Sequence, residues 1–209
     1  MSFLIRPDYE AQIKQDLLDV ILQGNDHIRL SAERAALAEM QSYLRGKYDL
    51  TKIFISVLEW QAGKQFNAGQ AVWHQAAAAV PTAPVVIIRG VPQITEAPVL
   101  IYVASQAATG TVPGTEQAIW LLSDPRPPLL ITYLIDLTLY LLHSGQNPRG
   151  IPQLRADRYE QALEWLNMCR TGKISPGLPL APAILPDGSE DPESLRPRFS
   201  SLPKLRNAY

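Results

Sequence analysis

The strongest hydrophobic pattern in the chain lies at residues 129–143. Apolar residues occupy nearly every side of a helix there, with Leu130, Leu134 and Leu137 at helical spacing and Asp136 as the only charge. A helix that is apolar on all sides is buried in a core or in an assembly. At about 15 residues the stretch is shorter than the roughly 20 residues that cross a bilayer. We therefore predict a buried core helix and not a membrane anchor.

A second, amphipathic helix is predicted at residues 154–171. Its polar residues, Arg155 and Arg158 among them, mostly face solvent, and Gly172 provides a helix stop. The apolar stripe consists of Tyr159, Ala162, Leu163, Leu166 and Cys169. Because free cysteine is among the most buried residue types, we interpret Cys169 as a core residue.

The first quarter of the chain also has helical spacing. One or two short helices are predicted up to residue 22, and Gly24, Asn25 and Asp26 then interrupt the pattern and offer an N-cap. A longer helix follows to about residue 47. Its inward positions are Ala36, Met40, Tyr43 and Leu44, and its outward positions are Glu33, Arg34, Glu39 and Arg45.

Residues 54–125 have a different composition, rich in Val, Ile, Ala, Gly, Pro and Trp and nearly free of charge. Short alternating runs separated by glycine-containing turns are typical of strands. The runs cover residues 53–58, 70–74, 85–89, 99–104 and 118–122. We predict a small antiparallel β domain inserted into a helical host, because a structureless loop of this length is uncommon.

The C-terminal part, residues 174–209, contains seven prolines in 36 residues, which excludes a helix or a central strand. We predict an extended arm that docks on a neighbouring subunit. The candidate docking residues are Leu195, Arg196, Arg198, Phe199, Leu202 and Leu205. The predicted fold class is thus α+β. It comprises a domain of four to five helices (1–54 plus 124–174), an inserted β domain (55–123) and the arm (175–209).

Several of these motifs resemble the head–tail connector family of Mu-like phages and prophages. They are YLRGKYD at 43–49, YLIDLTLYLLH at 133–143, NPRGIP at 147–152, RY at 158–159, WL at 165–166 and GKISPGLP at 172–179. The matching parts cover about residues 3–54 and 124–180. In the family the two parts are joined by a short connection, whereas here about 70 residues intervene.

The resemblance implies a structural protein of the virion neck, made in the host cytoplasm. Its subunits would form a ring, commonly of twelve, between the portal protein and the tail or stopper proteins. The ring would extend the channel through which DNA passes without specific binding. No enzymatic activity, cofactor or membrane partner is implied.

The β region has a resemblance of its own, to the small chitin-binding and cellulose-binding modules of bacterial glycoside hydrolases. It rests on Trp60, the sequence FNAGQAVWH at 66–74, Tyr102 and Trp120. It implies a three-stranded module in which Trp60, Trp73 or Trp120 stacks on a sugar ring. The alternative is that these tryptophans form the core of the β region, as a domain of this size requires. A carbohydrate-binding protein is therefore the alternative function.

Composition and candidate chemistry agree with a non-enzymatic protein. The net charge of −1 provides no basic field for nucleic acid, and His27, His74 and His143 lie in separate segments without metal-ligand spacing. The single cysteine and the absence of an export signal are expected of a cytoplasmic product. The most unusual carboxylate is Asp136, for which we predict pairing with Arg149 or Arg158, because a buried charge needs a partner.

Overall fold

The computed structural model describes residues 2–75, 98–146 and 150–182, together with the backbone of two short strands at Ile87–Ile88 and Val91–Pro92. Within these residues the fold is mixed α+β, with six helices and eight short strands. The α+β class predicted from the sequence is therefore confirmed at this coarse level.

The long helices begin and end close to the predicted boundaries, whereas the short helix at Leu50–Ile53 was not predicted. The helices are a 3-10 helix at Arg6–Ala11, α1 (Gln15–Leu22), α2 (Asp26–Leu44), α3 (Leu50–Ile53), α4 (Pro128–Gln146) and α5 (Gln153–Thr171). Asn25 caps α2 as predicted, because its side-chain oxygen accepts a hydrogen bond from the His27 N–H at 3.1 Å. The helix ends three residues before position 47, and Gly46 just beyond it has a positive φ of 88°.

The strands all lie, in chain order, between α3 and α4. They are β1 (Val57–Glu59), β2 (Gln65–Phe66), β3 (Ala71–Gln75), β4 (Ile87–Ile88), β5 (Val91–Pro92), β6 (Val99–Ala104), β7 (Ala108–Thr109) and β8 (Trp120–Leu122). The main sheet has the order β1-β3-β6-β8, and β2 pairs with β7 and β4 with β5 in two small ladders.

The expectation of a purely antiparallel arrangement is wrong at one edge of this sheet. β1 runs parallel to β3, with Val57 opposite Ala71 and Leu58 opposite Val72. A parallel neighbour needs a crossover, which here contains β2, and β2 leaves the main sheet to pair with β7. The other two pairs in the main sheet, β3 with β6 and β6 with β8, are antiparallel.

The predicted strand at 53–58 is partly wrong, because its first residue belongs to α3. The Asp49 carboxylate accepts a hydrogen bond from the Thr51 N–H at 3.1 Å, which starts the helix and turns Ile53 into the helical core. The strand itself begins only at Val57. Of the predicted strand at 85–89, Ile87 and Ile88 form β4, and the rest lies outside the described residues.

One hydrophobic core unites the helices. Its fully buried centre includes Met40 of α2, Leu130 and Leu137 of α4, and Leu166 of α5. Among the described residues, every member of this core comes from 3–54 or 130–178, and none comes from the strands. The two helical parts of the sequence therefore pack on each other, although the whole strand region separates them in the chain.

The α4 helix is long and apolar enough to cross a membrane by length and composition alone. In the fold it contacts α2, α5, α1 and the 3-10 helix. Residues 134–139 of α4 are all buried. Packing inside the protein thus accounts for the buried side of this helix, the side on which the sequence predicts a core contact.

The main sheet has a separate hydrophobic cluster on each side. Val72, Tyr102 and Trp120 pack on one side, while Val57 and Ala71 pack on the other side together with Ile5 from the N-terminal segment. Phe3 and Leu4, which precede Ile5 in the sequence, belong to the helical core. The N-terminal segment therefore lies between the sheet and the helices and contacts both.

Candidate functional site

Asp136 lies on α4 in a buried polar cluster with the N-terminal part of α5. Its side chain is 7% exposed, and its Oδ1 atom lies 3.5 Å from Nη1 of Arg158. Gln12 lies between the two helices, where its side-chain oxygen accepts a hydrogen bond from Arg158 and its backbone oxygen accepts one from Arg155 at 3.0 Å. Arg149, the other candidate partner from the sequence, lies outside the described residues.

The charged groups of this cluster are only partly compensated by their neighbours. Burial raises the pKa of Asp136, and the neighbouring Arg158 only partly opposes that effect. A distance of 3.5 Å is an ion-pair contact but is long for a hydrogen bond. Arg155 has a buried Nη1 nitrogen for which the described residues provide no hydrogen-bond partner. Its Nη2 atom donates a hydrogen bond to the Gln12 carbonyl. Of the two terminal nitrogens of this arginine, only Nη2 therefore has a hydrogen-bond partner among the described residues.

The three candidate sugar-stacking tryptophans do not form a common surface. Trp120 is only 2% exposed, its ring packs edge-on against Phe66 at 5.8 Å, and its indole N–H donates to Thr111. A ring buried in this way has no free face for a sugar. Trp120 is therefore positioned as a core residue.

Trp60 and Trp73 are both half-buried and belong to opposite sides of the sheet. Trp60 packs with the cluster that contains Trp120, and its indole N–H donates to the carbonyl of Thr111 at 3.1 Å. Trp73 packs with the cluster that contains Ile5. The fold thus brings Trp60 and Trp120 together around one carbonyl and places Trp73 on the other side.

The first residues of the predicted C-terminal arm dock on their own chain. Leu180 forms an isolated β-bridge with Tyr48, the carbonyl of Pro179 accepts from the Asp49 N–H at 2.9 Å, and the Ala181 N–H donates to Lys47 at 3.0 Å. The six candidate docking residues of the arm, at positions 195–205, lie outside the described residues.

One buried network was not recognised in the sequence. Glu33, expected to face solvent, is 6% exposed and pairs with Arg29 four residues before it on α2. Its carboxylate also accepts hydrogen bonds from the Tyr9 hydroxyl at 2.8 Å and the Ser2 hydroxyl at 2.7 Å. The helical pattern wrongly predicted that Glu33 faces solvent. The N-terminal segment covers that surface of α2 and supplies polar partners for the carboxylate.

A second buried cation lies where the chain leaves the strands. Arg126 is 2% exposed, and its guanidinium forms ion pairs with Asp8 at 2.7 Å and Asp124 at 2.8 Å. It also donates to the carbonyl of Phe3 at 2.6 Å. This arginine joins the N-terminal segment to the connection before α4, and no periodic pattern in the sequence marks it.

The residue types that could support metal or thiol chemistry are dispersed. Within the described ranges, no group of three or more His, Cys, Asp or Glu residues is close enough to hold a metal ion. Cys169 is fully buried in the helical core, and burial raises the pKa of its thiol. A thiol in this environment is unreactive.

An open groove of about 540 Å³ lies beside α1 and the start of α5. It contains three strongly exposed apolar side chains, Leu17, Val20 and Leu154, of which Val20 is 73% exposed. Clustered exposed apolar side chains mark an interaction surface more often than scattered ones do. We name this surface the α1–α5 groove.

Comparison with known proteins identifies no relative of the chain. No protein-family model matches it, and neither a curated protein nor a solved structure does. The two resemblances in its sequence therefore stay predictions.

Proposed function

We propose that this protein is a non-enzymatic structural subunit of a phage or prophage virion, a head–tail connector that assembles into a ring under the portal protein. The ring, commonly of twelve subunits in the family it resembles, would extend the DNA channel toward tail or stopper proteins. Its place is the virion neck after assembly and the host cytoplasm before it.

The observation that carries the proposal is the composition of the helical core. The connector-like motifs occupy about residues 3–54 and 124–180, and the helical core is drawn from 3–54 and 130–178. Two parts that are separated in the sequence thus form one packed unit, with the strand region outside its core. This supports a helical connector domain into which a β domain is inserted.

The remaining features are compatible with this role. The net charge of −1 suits a channel through which DNA passes without binding tightly. We propose that the strand region projects from the ring, where its bulk leaves the channel open, and that the arm beyond residue 182 contacts a neighbouring subunit or the portal.

The carbohydrate-binding alternative has less support. Stacking on a sugar requires an exposed aromatic face, but Trp120 is buried, and Trp60 and Trp73 lie on opposite sides of the sheet. A glycan array with the full chain would favour this alternative if it gave binding that Trp73→Ala abolishes.

The proposal is tested by mixing the purified chain with its cognate portal protein and measuring the masses by native mass spectrometry. We expect closed rings, or a complex that forms only on the portal. A mixture with an unrelated portal is the matched control and should give no complex. A chain that stays monomeric and does not bind the cognate portal would contradict the proposed function.

A further inference from the structure

The α1–α5 groove has the chemistry of a protein-binding site. Leu17, Val20 and Leu154 line it with side chains that are 56%, 73% and 58% exposed, and the more buried Ile13 and Ile21 complete the apolar surface. Leaving such side chains in water is unfavourable by about 25 cal/mol for each Å² of apolar surface. A partner that covers them would gain that free energy.

The charges in the groove are all of one sign. Lys14 and Arg155 line it together with His143, and none of its lining residues is an aspartate or a glutamate. The buried Nη1 nitrogen of Arg155 has no hydrogen-bond partner among the described residues. Burial, and next the nearby Arg158, lower the pKa of Arg155, and the carboxylate of Asp136 offsets these two effects only in part. The groove therefore fits an apolar segment that carries carboxylates.

The chain itself contains such a segment directly after the described residues. Positions 183–195 read AILPDGSEDPESL, with the apolar residues Ile184, Leu185 and Leu195. The carboxylates of this segment are Asp187, Glu190, Asp191 and Glu193, and it contains no lysine or arginine. Apolar side chains for the groove floor and carboxylates for its basic rim are thus present in one short stretch.

We propose that residues 183–195 of one copy of the chain occupy the α1–α5 groove of a second copy. The segment starts from a fixed point, since the Ala181 N–H bonds to Lys47, whose Nζ atom bonds to the carbonyl of Cys169 near the end of α5 at 2.8 Å. Leu154 lies at the other end of α5, 15 residues or about 22 Å away.

The length of the chain limits how far its first apolar residues, Ile184 and Leu185, can extend from Ala181. Leu185 follows Ala181 by four residues and extends no more than about 14 Å from it. A reach of about 14 Å is shorter than the roughly 22 Å of α5 between Cys169 and Leu154, which favours the groove of a second copy for Ile184 and Leu185. In the proposed ring a neighbouring copy would present its groove to this segment, so the inference rests on the proposed function and names the subunit contact within it.

The test is disulfide cross-linking between two variants of the full chain with one added cysteine each, Leu154→Cys and Leu185→Cys, mixed in equal amounts under mild oxidation. The native Cys169 is fully buried and does not compete. Leu122→Cys is the matched control for Leu154→Cys, because Leu122 is 61% exposed and lies on β8, away from the groove. We expect a covalent heterodimer from the Leu154 and Leu185 pair, and much less from the Leu122 and Leu185 pair.

Three results would overturn the inference. They are equal yields from the two pairs, no heterodimer from either, and an intramolecular bridge in monomers of the double variant Leu154→Cys, Leu185→Cys. The oligomer mass of the wild-type chain, measured by native mass spectrometry, tests the proposed function separately. Rings without the cross-link would overturn only this inference, whereas dimers with the cross-link would support it and contradict the ring.

Charge reversal provides a second readout. We expect Lys14→Glu in the Leu154→Cys partner to lower the initial cross-linking rate by roughly threefold or more, because it places like charges together. Glu190→Lys in the Leu185→Cys partner should restore part of that rate. A rate that is unchanged by either substitution would contradict the charge complementarity on which the inference rests.

Discussion

At the scale of single residues, the fold depends on buried charges that the sequence pattern only partly indicates. Asp136 could be recognised because it is the sole charge in an apolar helix, and Gly172 because it follows an amphipathic one. Glu33 and Arg126 could not be recognised in this way. Their partners, Tyr9 and Asp8, come from a segment whose position over the helices is a tertiary feature.

Loss of Arg126 should destabilise the protein strongly. Arg126→Met leaves the carboxylate of Asp8 and the carbonyl of Phe3 without their buried partner, so we expect a loss of about 3–5 kcal/mol in the free energy of unfolding. Urea denaturation followed by circular dichroism measures it. The control is Arg6→Met, which breaks an ion pair with Asp19 that is about half exposed and should lose no more than about 1 kcal/mol. Equal losses in the two variants would contradict the structural role of Arg126.

Asp136 should give a defined pH dependence. Because burial raises its pKa in the folded chain above the ordinary value, the folded state binds this proton more tightly than the unfolded state. The contribution of the protonated Asp136 to the free energy of unfolding is fully present below about pH 4. It is lost as the pH rises through the pKa of Asp136 in the folded chain. The free energy of unfolding of the wild type minus that of Asp136→Asn should therefore fall as the pH rises from about 4.

This difference is obtained from urea denaturation at a series of pH values. Asp157→Asn, at an exposed position on the next helix, controls for the loss of one carboxylate. If the difference in the free energy of unfolding between wild type and Asp136→Asn is constant, or increases with pH, burial does not raise the pKa of Asp136.

For the elements, the long helices and the strands β3, β6 and β8 were predictable, whereas the two-residue strands β2 and β7 were not. α4 and α5 have more than four turns of consistent spacing, and Gly172 ends α5 with a φ of 76°. The two-residue strands β2 and β7 are too short for any periodicity. The parallel pairing of β1 with β3 depends on how the chain crosses over, which alternation of side chains does not encode.

The two helix glycines should respond to alanine in opposite directions. Gly172→Ala places a side chain in the left-handed region and should lower the free energy of unfolding by about 1 kcal/mol. Gly145 is the penultimate residue of α4, has no positive φ and leaves open space for a Cβ atom, so Gly145→Ala should raise the free energy of unfolding by up to about 0.5 kcal/mol. Thermal denaturation of both variants measures this, and two shifts of the same sign would contradict the helix boundaries.

At the scale of the whole molecule, the helices and the sheet each have a hydrophobic core of their own. The helical core contains no strand residue among those described, and Ile5 of the N-terminal segment packs against Val57 of β1. The change in composition along the sequence predicted two structural units. A β-bridge between Ser2 and Val57 helps to join the two units, and no pattern in the sequence predicted it.

If the helical part alone is the assembling unit, removal of the strand region should leave the ring intact. Residues 56–123 are replaced by a short Gly-Ser linker, and the oligomer masses of this variant and of the full chain are measured side by side by native mass spectrometry. We predict that both form rings with the same number of subunits, because the helical core loses no member. A variant that folds, as judged by circular dichroism, but stays monomeric while the full chain forms rings would contradict the claim.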